Sequence, residues 1–205
     1  ESFKEIILKN MKKYKFVIVC GGGSIARKYI EGLENQPLKN KNYLQNLLGI
    51  TTTRTNARFM NYFFGKDSNH GIPHEMKEVR NLLLKNEIIF CGALRYEKRQ
   101  TSDSTAAKMA KLFNSDFINI TNISGLYDKN PKEYRSARFI PEISYKDFLK
   151  MTNQIPFTPG QHFVLDTAAA KIINKYKIRT FIIGEDMKNL DNLLNDKHFV
   201  GTIIN

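Results

Sequence analysis

The sequence predicts an α/β fold: a largely parallel sheet covered on both faces by helices. Two observations carry this. Short, continuously apolar runs recur along the chain and alternate with stretches of helical spacing. Three of the segments that leave those runs, "GGGSIAR", "GALRYEKRQTSDSTAA" and "TNISGLYDKNPKEY", carry glycine, hydroxyl, amide and basic residues. In parallel sheets such segments sit at the carboxyl ends of strands, where ligands bind.

The elements follow in order. Residues 16–20 form a short apolar strand, and residues 24–34 have helical spacing. Residues 44–64 read as a long helix with Gly49 inside it, and residues 75–84 as another helix. An apolar strand spans 88–93. Residues 103–113 are helical, with Asp103 placed to cap them. A strand at 117–121 runs into a loop with Asn122, Gly125, Asn130 and Pro131. Ser144 caps a helix to residue 151, and Asp166 caps "TAAAKIINKY". A strand at 181–183, a helix at 189–194 and a last strand at 202–204 complete the chain. No internal repeat or long linker interrupts it, so residues 1–205 read as a single domain.

A chain of 205 residues can bury a normal core. The formal net charge of +12 points to nucleic acid, an anionic membrane or a small polyanion. Lysine is interleaved with asparagine, as in "LKNKNYLQN", and no dense basic block exists, so nucleic acid is not expected as the partner. No window approaches the run of about 18 apolar residues that crosses a membrane. Residues 1–15 are charged throughout and do not resemble a secretory signal, so a cytoplasmic protein is expected. Cys20 and Cys91 lie inside apolar runs and read as reduced core thiols.

The stretch "VIVCGGGSIARKYIEG" joins an apolar strand to a helix through Gly21, Gly22 and Gly23. Bare glycines let a ligand approach the backbone closely, and a helix N-terminus offers unpaired N–H groups. Together they suit a phosphate, with Arg27 one turn further on. In "RYEKRQTSDSTAA", Arg95, Lys98 and Arg99 precede Thr101, Ser102 and Asp103. The two hydroxyls stand just before a helix, where they suit a phosphate oxygen. The Asp103 carboxylate is either a cap or an organiser of cationic groups. In the third loop, Tyr127 and Tyr134 can flank a planar base, and Thr121, Ser124 and Asn130 can bond a ribose or base edge. A plain surface loop would have the same residue types.

In this order, "GGGSIARKYIE", "LLGITTTRTNARF", "TSDSTAA", "TNISGLYDKNPK", "VLDTAAAKII" and the terminal "GTII" resemble the amino acid kinase family, and within it the archaeal-type UMP kinases. The matching pieces span nearly the whole chain. The resemblance implies a three-layer α/β/α sandwich around a mainly parallel twisted sheet. It implies transfer of the ATP γ-phosphate, with Mg²⁺, to UMP. Gly21, Gly22 and Gly23 would form the acceptor phosphate loop and Arg27 would pair the UMP phosphate. Asn46 falls where the family usually has an aspartate near the acceptor ribose. Thr101 and Ser102 would touch the acceptor phosphate, and Asp103 would be the catalytic organiser. Thr121, Asn122, Tyr127 and Asn130 would line the ATP site. No protein metal ligand is assigned. The UMP kinases that this chain resembles are hexamers built from dimers. Three departures stand out. The family's first strand, ending in a lysine-and-glycine phosphate loop, would precede Glu1. Ser124 and Asn130 replace family aspartates. "RYEKRQ" replaces the usual glycine and proline before the second loop. Another phosphotransferase of the same fold and a nucleotide-binding subunit without catalysis remain open as alternatives.

Overall fold

Four consecutive apolar residues, too few for a helix turn to bury, pair best with another such run. Strand β1 (Phe16–Val19) does this with β2 (Ile88–Cys91), in parallel and in the register Phe16↔Ile88 to Val19↔Cys91. The computed structural model describes residues 2–96, 101–154 and 164–205. The expected Lys98 and Arg99 lie outside the described residues. The chain divides into two compact units, residues 7–106 and residues 1–6 with 107–205. The division falls inside α1 (Phe3–Asn10) and inside α5 (Ser102–Phe113).

The unit of residues 7–106 holds β1, β2 and three helices: α2 (Gly23–Gly32), α3 (Lys41–Phe64) and α4 (Met76–Leu83). Helix α3 packs against both α2 and β2, and α4 packs against β2. All four residues of β2 are buried. Its second edge is closed by a side chain: the buried Asn69 accepts from Phe90 N at 2.7 Å and donates to Phe90 O at 3.2 Å. Phe64, at the end of α3, meets Phe90 edge-on with ring centroids 4.7 Å apart. Each such fully buried side chain contributes about 1.5–3 kcal/mol.

The other unit carries β3 (Phe117–Ile120), β4 (Leu126–Tyr127), β5 (Phe139–Ile140), β6 (Glu142–Ile143), β7 (Thr180–Ile183) and β8 (Gly201–Ile204). Its main sheet has the order β3-β7-β8-β6, and β4 pairs with β5 separately. The β3–β7 and β6–β8 pairs are parallel, whereas β7–β8 and β4–β5 are antiparallel. With β1–β2, parallel pairing dominates the fold, as expected for an α/β chain. Arg179 and Asp116, just before β7 and β3, form a two-pronged pair at 3.1 and 2.5 Å where those strands begin. That carboxylate holds the Arg179 pKa above its usual value.

Helices α6 (Tyr145–Asn153), α7 (Thr167–Tyr176) and α8 (Met187–Leu194) complete this unit. Ser144 and Asp166 cap α6 and α7 as expected, accepting from Asp147 N and Ala169 N. Asp186 caps α8, which begins two residues before its expected start. Besides a single 3₁₀ turn after α3 (Gly65–Asp67), four elements are additions to the sequence reading: α1, β4, β5 and β6. The three strands have two residues each and so carry no readable period.

Cys91 is buried in β2, while Cys20, one step past β1, is half-buried rather than in the core. Val19 lies opposite Cys91, so Cys20 and Cys91 face opposite sides of the ladder and do not form a disulfide. Burial pushes the Cys20 thiol up to about 11. Burial, then the neighbouring Cys20, pushes Cys91 up to about 12. Both thiols therefore stay protonated in neutral solution and are poor nucleophiles. Alkylation at about pH 8 should be slow on the native protein and complete on both cysteines in denaturant. A thiol that reacts rapidly in the native protein would contradict this placement.

Candidate active site

Because β1 and β2 run parallel, their carboxyl ends share one edge. The loops that begin at Cys20 and at Gly92 leave the sheet there side by side, with Cys20 N donating to Cys91 O at 2.8 Å. The first loop is the triglycine. Gly22 is the N-cap of α2 and supplies no side-chain cap, so no side chain occupies the first-turn N–H groups. Gly23 has φ +61°, a conformation natural to glycine. A Cβ at Gly22 would come within 2.5 Å of the Ala26 Cβ. Arg27 stands exposed on α2, one turn beyond the loop.

The second loop ends in Thr101, Ser102 and Asp103. A Cβ on Gly21 would lie 3.8 Å from Ser102 Oγ, so the triglycine and the start of α5 are neighbours. The capping assignment changes here. Thr101, not Asp103, caps α5: its Oγ1 accepts from Ser104 N at 3.1 Å, and Ser104 Oγ accepts from Thr101 N at 2.9 Å. This reciprocal pair is a capping box in which serine takes the usual place of glutamate. Asp103 falls in the first turn, beside the positive end of the helix dipole. Aspartate was the natural expectation because its side chain caps well, but the helix begins one residue earlier.

Helix α3 supplies three residues that sequence reasoning missed. Asn56 Nδ2 donates to Gly21 O at 2.7 Å and lies 3.4 Å from Gly22 O. Thr53 Oγ1 accepts from Ala93 N at 2.8 Å, and donates to Ile50 O in its own helix. Arg54 Nε donates to Ala93 O at 3.0 Å and its NH2 to Leu94 O at 2.8 Å. Desolvation lowers the Arg54 pKa and the Glu78 carboxylate opposes it; the guanidinium stays charged. One signal was available: Thr52 and Thr53 sit in the middle of a long helix and are buried. Buried polar side chains need partners; Thr52 finds one in its own helix at Leu48 O, and Thr53 bonds the loop as well as its helix.

Asn46 lies ten residues before Asn56 on α3, about 15 Å along the axis. It is exposed, and its amide donates to Asn42 O at 2.8 Å.

The expected ATP-side residues all lie in the other unit. Thr121 N donates to Ile183 O at 2.9 Å and extends the β3–β7 ladder. Asn122 is exposed. Tyr127 is in β4, not in a loop, and its ring meets Phe139 edge-on at 5.3 Å. Asn130 turns inward on its own loop: Oδ1 accepts from Lys132 N at 3.0 Å and Nδ2 donates to Glu133 at 2.7 Å. Tyr134 is exposed, with the Lys129 ammonium 5.7 Å from its ring centre. Asp128 ties this segment to β5. The Arg138 backbone N–H, then its guanidinium, hold the Asp128 carboxyl below the usual range. Among the described residues no cluster of His, Cys, Asp and Glu forms a protein-built metal site, and no helix is long and apolar enough to cross a membrane.

Residues 1–184 match the family profile described as the amino acid kinase family. The chain is 32% identical to the uridylate kinase of Thermoplasma volcanium over 206 aligned positions, covering 100% of this chain and 88% of that protein. It is 29% identical to the uridylate kinase of Methanococcus aeolicus, covering 97% of this chain and 87% of that one. The crystal structure of uridylate kinase from Archaeoglobus fulgidus superposes with a TM-score of 0.86 at 27% identity, covering 99% of this chain and 90% of that chain.

The contact between α3 and the second loop is testable through Gly92. A Cβ there would lie 2.5 Å from Arg54 N and 2.6 Å from Thr53 C, both backbone atoms that cannot swing aside. Gly92→Ala should cost roughly 1–3 kcal/mol by overpacking, read as a melting temperature several degrees lower. Gly21→Ala, whose methyl meets only ordinary contact, should melt near the parent. An unchanged melting temperature for Gly92→Ala would show that α3 does not approach the loop so closely.

Proposed function

The chain belongs to the amino acid kinase family, and from that premise we propose that it is a UMP kinase, transferring the γ-phosphate of ATP to UMP to give UDP for pyrimidine nucleotide synthesis in the cytoplasm. The observation that carries the reading is the shared edge of β1 and β2. There a side-chain-free triglycine opening α2 stands beside Ser102, at the start of α5. The similarity to uridylate kinases over the full chain supports UMP as the acceptor.

In this reading the backbone N–H groups of Gly21, Gly22 and Gly23 and the hydroxyls of Thr101 and Ser102 receive the acceptor phosphate. Arg27 pairs it by a two-pronged charged contact, and Asn46 faces the ribose. Thr121, Asn122, Tyr127 and Asn130 form the ATP side. Phosphoryl transfer asks little covalent chemistry of a protein, and alignment and charge neutralisation do most of the work. Mg²⁺ fits this residue set. It is commonly held by one or two carboxylates together with substrate phosphates, so it needs no protein-built cluster. Asp103 is the residue here that would hold its water shell, and the ion would neutralise phosphate charge. The residues 1–205 act as one catalytic domain.

A second reading, a nucleotide-binding subunit without catalysis, is favoured by Ser124 and Asn130 in place of acidic residues. One experiment separates them: the purified protein with ATP, Mg²⁺ and a panel of nucleoside monophosphates, alongside Arg27→Ala and Asp103→Asn. UMP should be the best acceptor. Arg27→Ala should raise KM for UMP about 10–100-fold, the loss of a charged hydrogen-bond pair, and leave KM for ATP nearly unchanged. Asp103→Asn should lower kcat about 100-fold, with the cap that Thr101 supplies left in place. Nucleotide binding without turnover of any monophosphate would establish the second reading instead.

The assembly proposed is a hexamer of three dimers. Of the apolar residues on α3, Phe64 faces the core, and Leu47, Leu48 and Ile50 are half-buried. Phe59, Tyr62 and Phe63 are 64%, 74% and 51% exposed, and Phe59 and Phe63 stack with centroids 6.2 Å apart. An aromatic cluster of this kind supports contact with another subunit. Light scattering at micromolar concentration should report a mass well above the 23.7 kDa monomer. A clean monomer would overturn the assembly.

A further inference from the structure

We infer that Asn56 is the positioning residue of the acceptor-phosphate loop, turning the peptide planes of the triglycine so that their N–H groups present one anion-binding face. The inference rests on the kinase reading above. Three glycines have no side chains with which to settle their own peptide planes, and their freedom is the largest of any residue. The contact from α3 supplies what they lack. Asn56 Nδ2 donates to Gly21 O at 2.7 Å, with Gly22 O at 3.4 Å. All described peptides are trans. In a planar trans peptide the C=O of one residue and the N–H of the next point in opposite directions. Holding Gly21 O toward Asn56 therefore aims Gly22 N–H away from α3. Gly22 O accepts from Ala26 N at 3.2 Å, which fixes the next plane and starts helix α2. The N–H groups on the far side belong to a helix end that no side chain caps.

Asn56 does this from a rigid support. Thr53, one turn earlier on α3, and Arg54 hold the backbone of Ala93 and Leu94 in the second loop. The same helical turn therefore spaces the two loops that receive the phosphate. An asparagine is suited to the place: its amide donates without adding charge beside a dianionic acceptor, and its short side chain allows little play.

The test uses Asn56→Ala and Asn56→Leu in the full chain. Leucine keeps the approximate size of the side chain, has no N–H to donate and adds no charge. Each variant is measured for melting temperature, for KM of UMP and of ATP, and for direct UMP binding by calorimetry without ATP. The expected result is a rise of about tenfold in both KM and Kd for UMP in each variant, the loss of one hydrogen bond, with KM for ATP within about twofold of the parent. A merely structural role would lower the melting temperature and the active fraction without moving either UMP constant, and that result would overturn the inference while leaving the kinase reading intact. If Asn56→Ala does not fold, Asn56→Leu decides alone. A parent protein that neither binds nor phosphorylates UMP would overturn the kinase reading and the inference with it.

Discussion

The close approach of α3 to the carboxyl ends of β1 and β2 is the constraint on which the candidate site depends. At Gly92 the helix backbone and the strand end are so near that no side chain fits between them. That proximity lets two short polar side chains of α3 and one arginine reach loop backbone directly. Thr53 and Arg54 take the second loop and Asn56 takes the first. A longer gap would need longer, more mobile side chains, and the loops would lose their fixed separation.

The consequence for chemistry is a site built from backbone rather than from reactive side chains. The loops present N–H groups, hydroxyls and a helix end, and the nearby thiol of Cys20 is held protonated by burial. A backbone cradle is suited to an anion whose charge must be balanced without a covalent partner. The tying of Gly21 O to Asn56 is a small contact with a large lever, since each carbonyl that is anchored determines the direction of the following N–H.

The start of α5 illustrates how one residue of register changes a role. Thr101 and Ser104 satisfy each other's backbone N–H groups at the helix start. Asp103 stands in the first turn, where a negative charge is stabilised by the helix dipole. The N-cap position, which Asp103 was placed to fill in the sequence, is thereby taken by Thr101.

Much of the fold was legible in the sequence. The apolar runs at β1, β2, β3, β7 and β8, the periodic helices, and the caps Ser144 and Asp166 all stand where the pattern places them. These features are encoded within one or two turns of chain, so neighbouring residues suffice to read them. The triglycine, too, announced a turn with an open backbone. What only the tertiary structure decided are the contacts between distant segments. The bonds from Asn56, Thr53 and Arg54 to the loops span 35 to 40 residues and leave no local period. The two-residue strands β4, β5 and β6 exist only because a partner elsewhere in the chain supplies their hydrogen bonds. Asn130 shows the same limit from the other side. Its residue type permits a ligand contact, and its folded loop turns both ends of the amide to Lys132 and Glu133. Residue type determines what a side chain can bond, and the packing of remote elements determines what it meets.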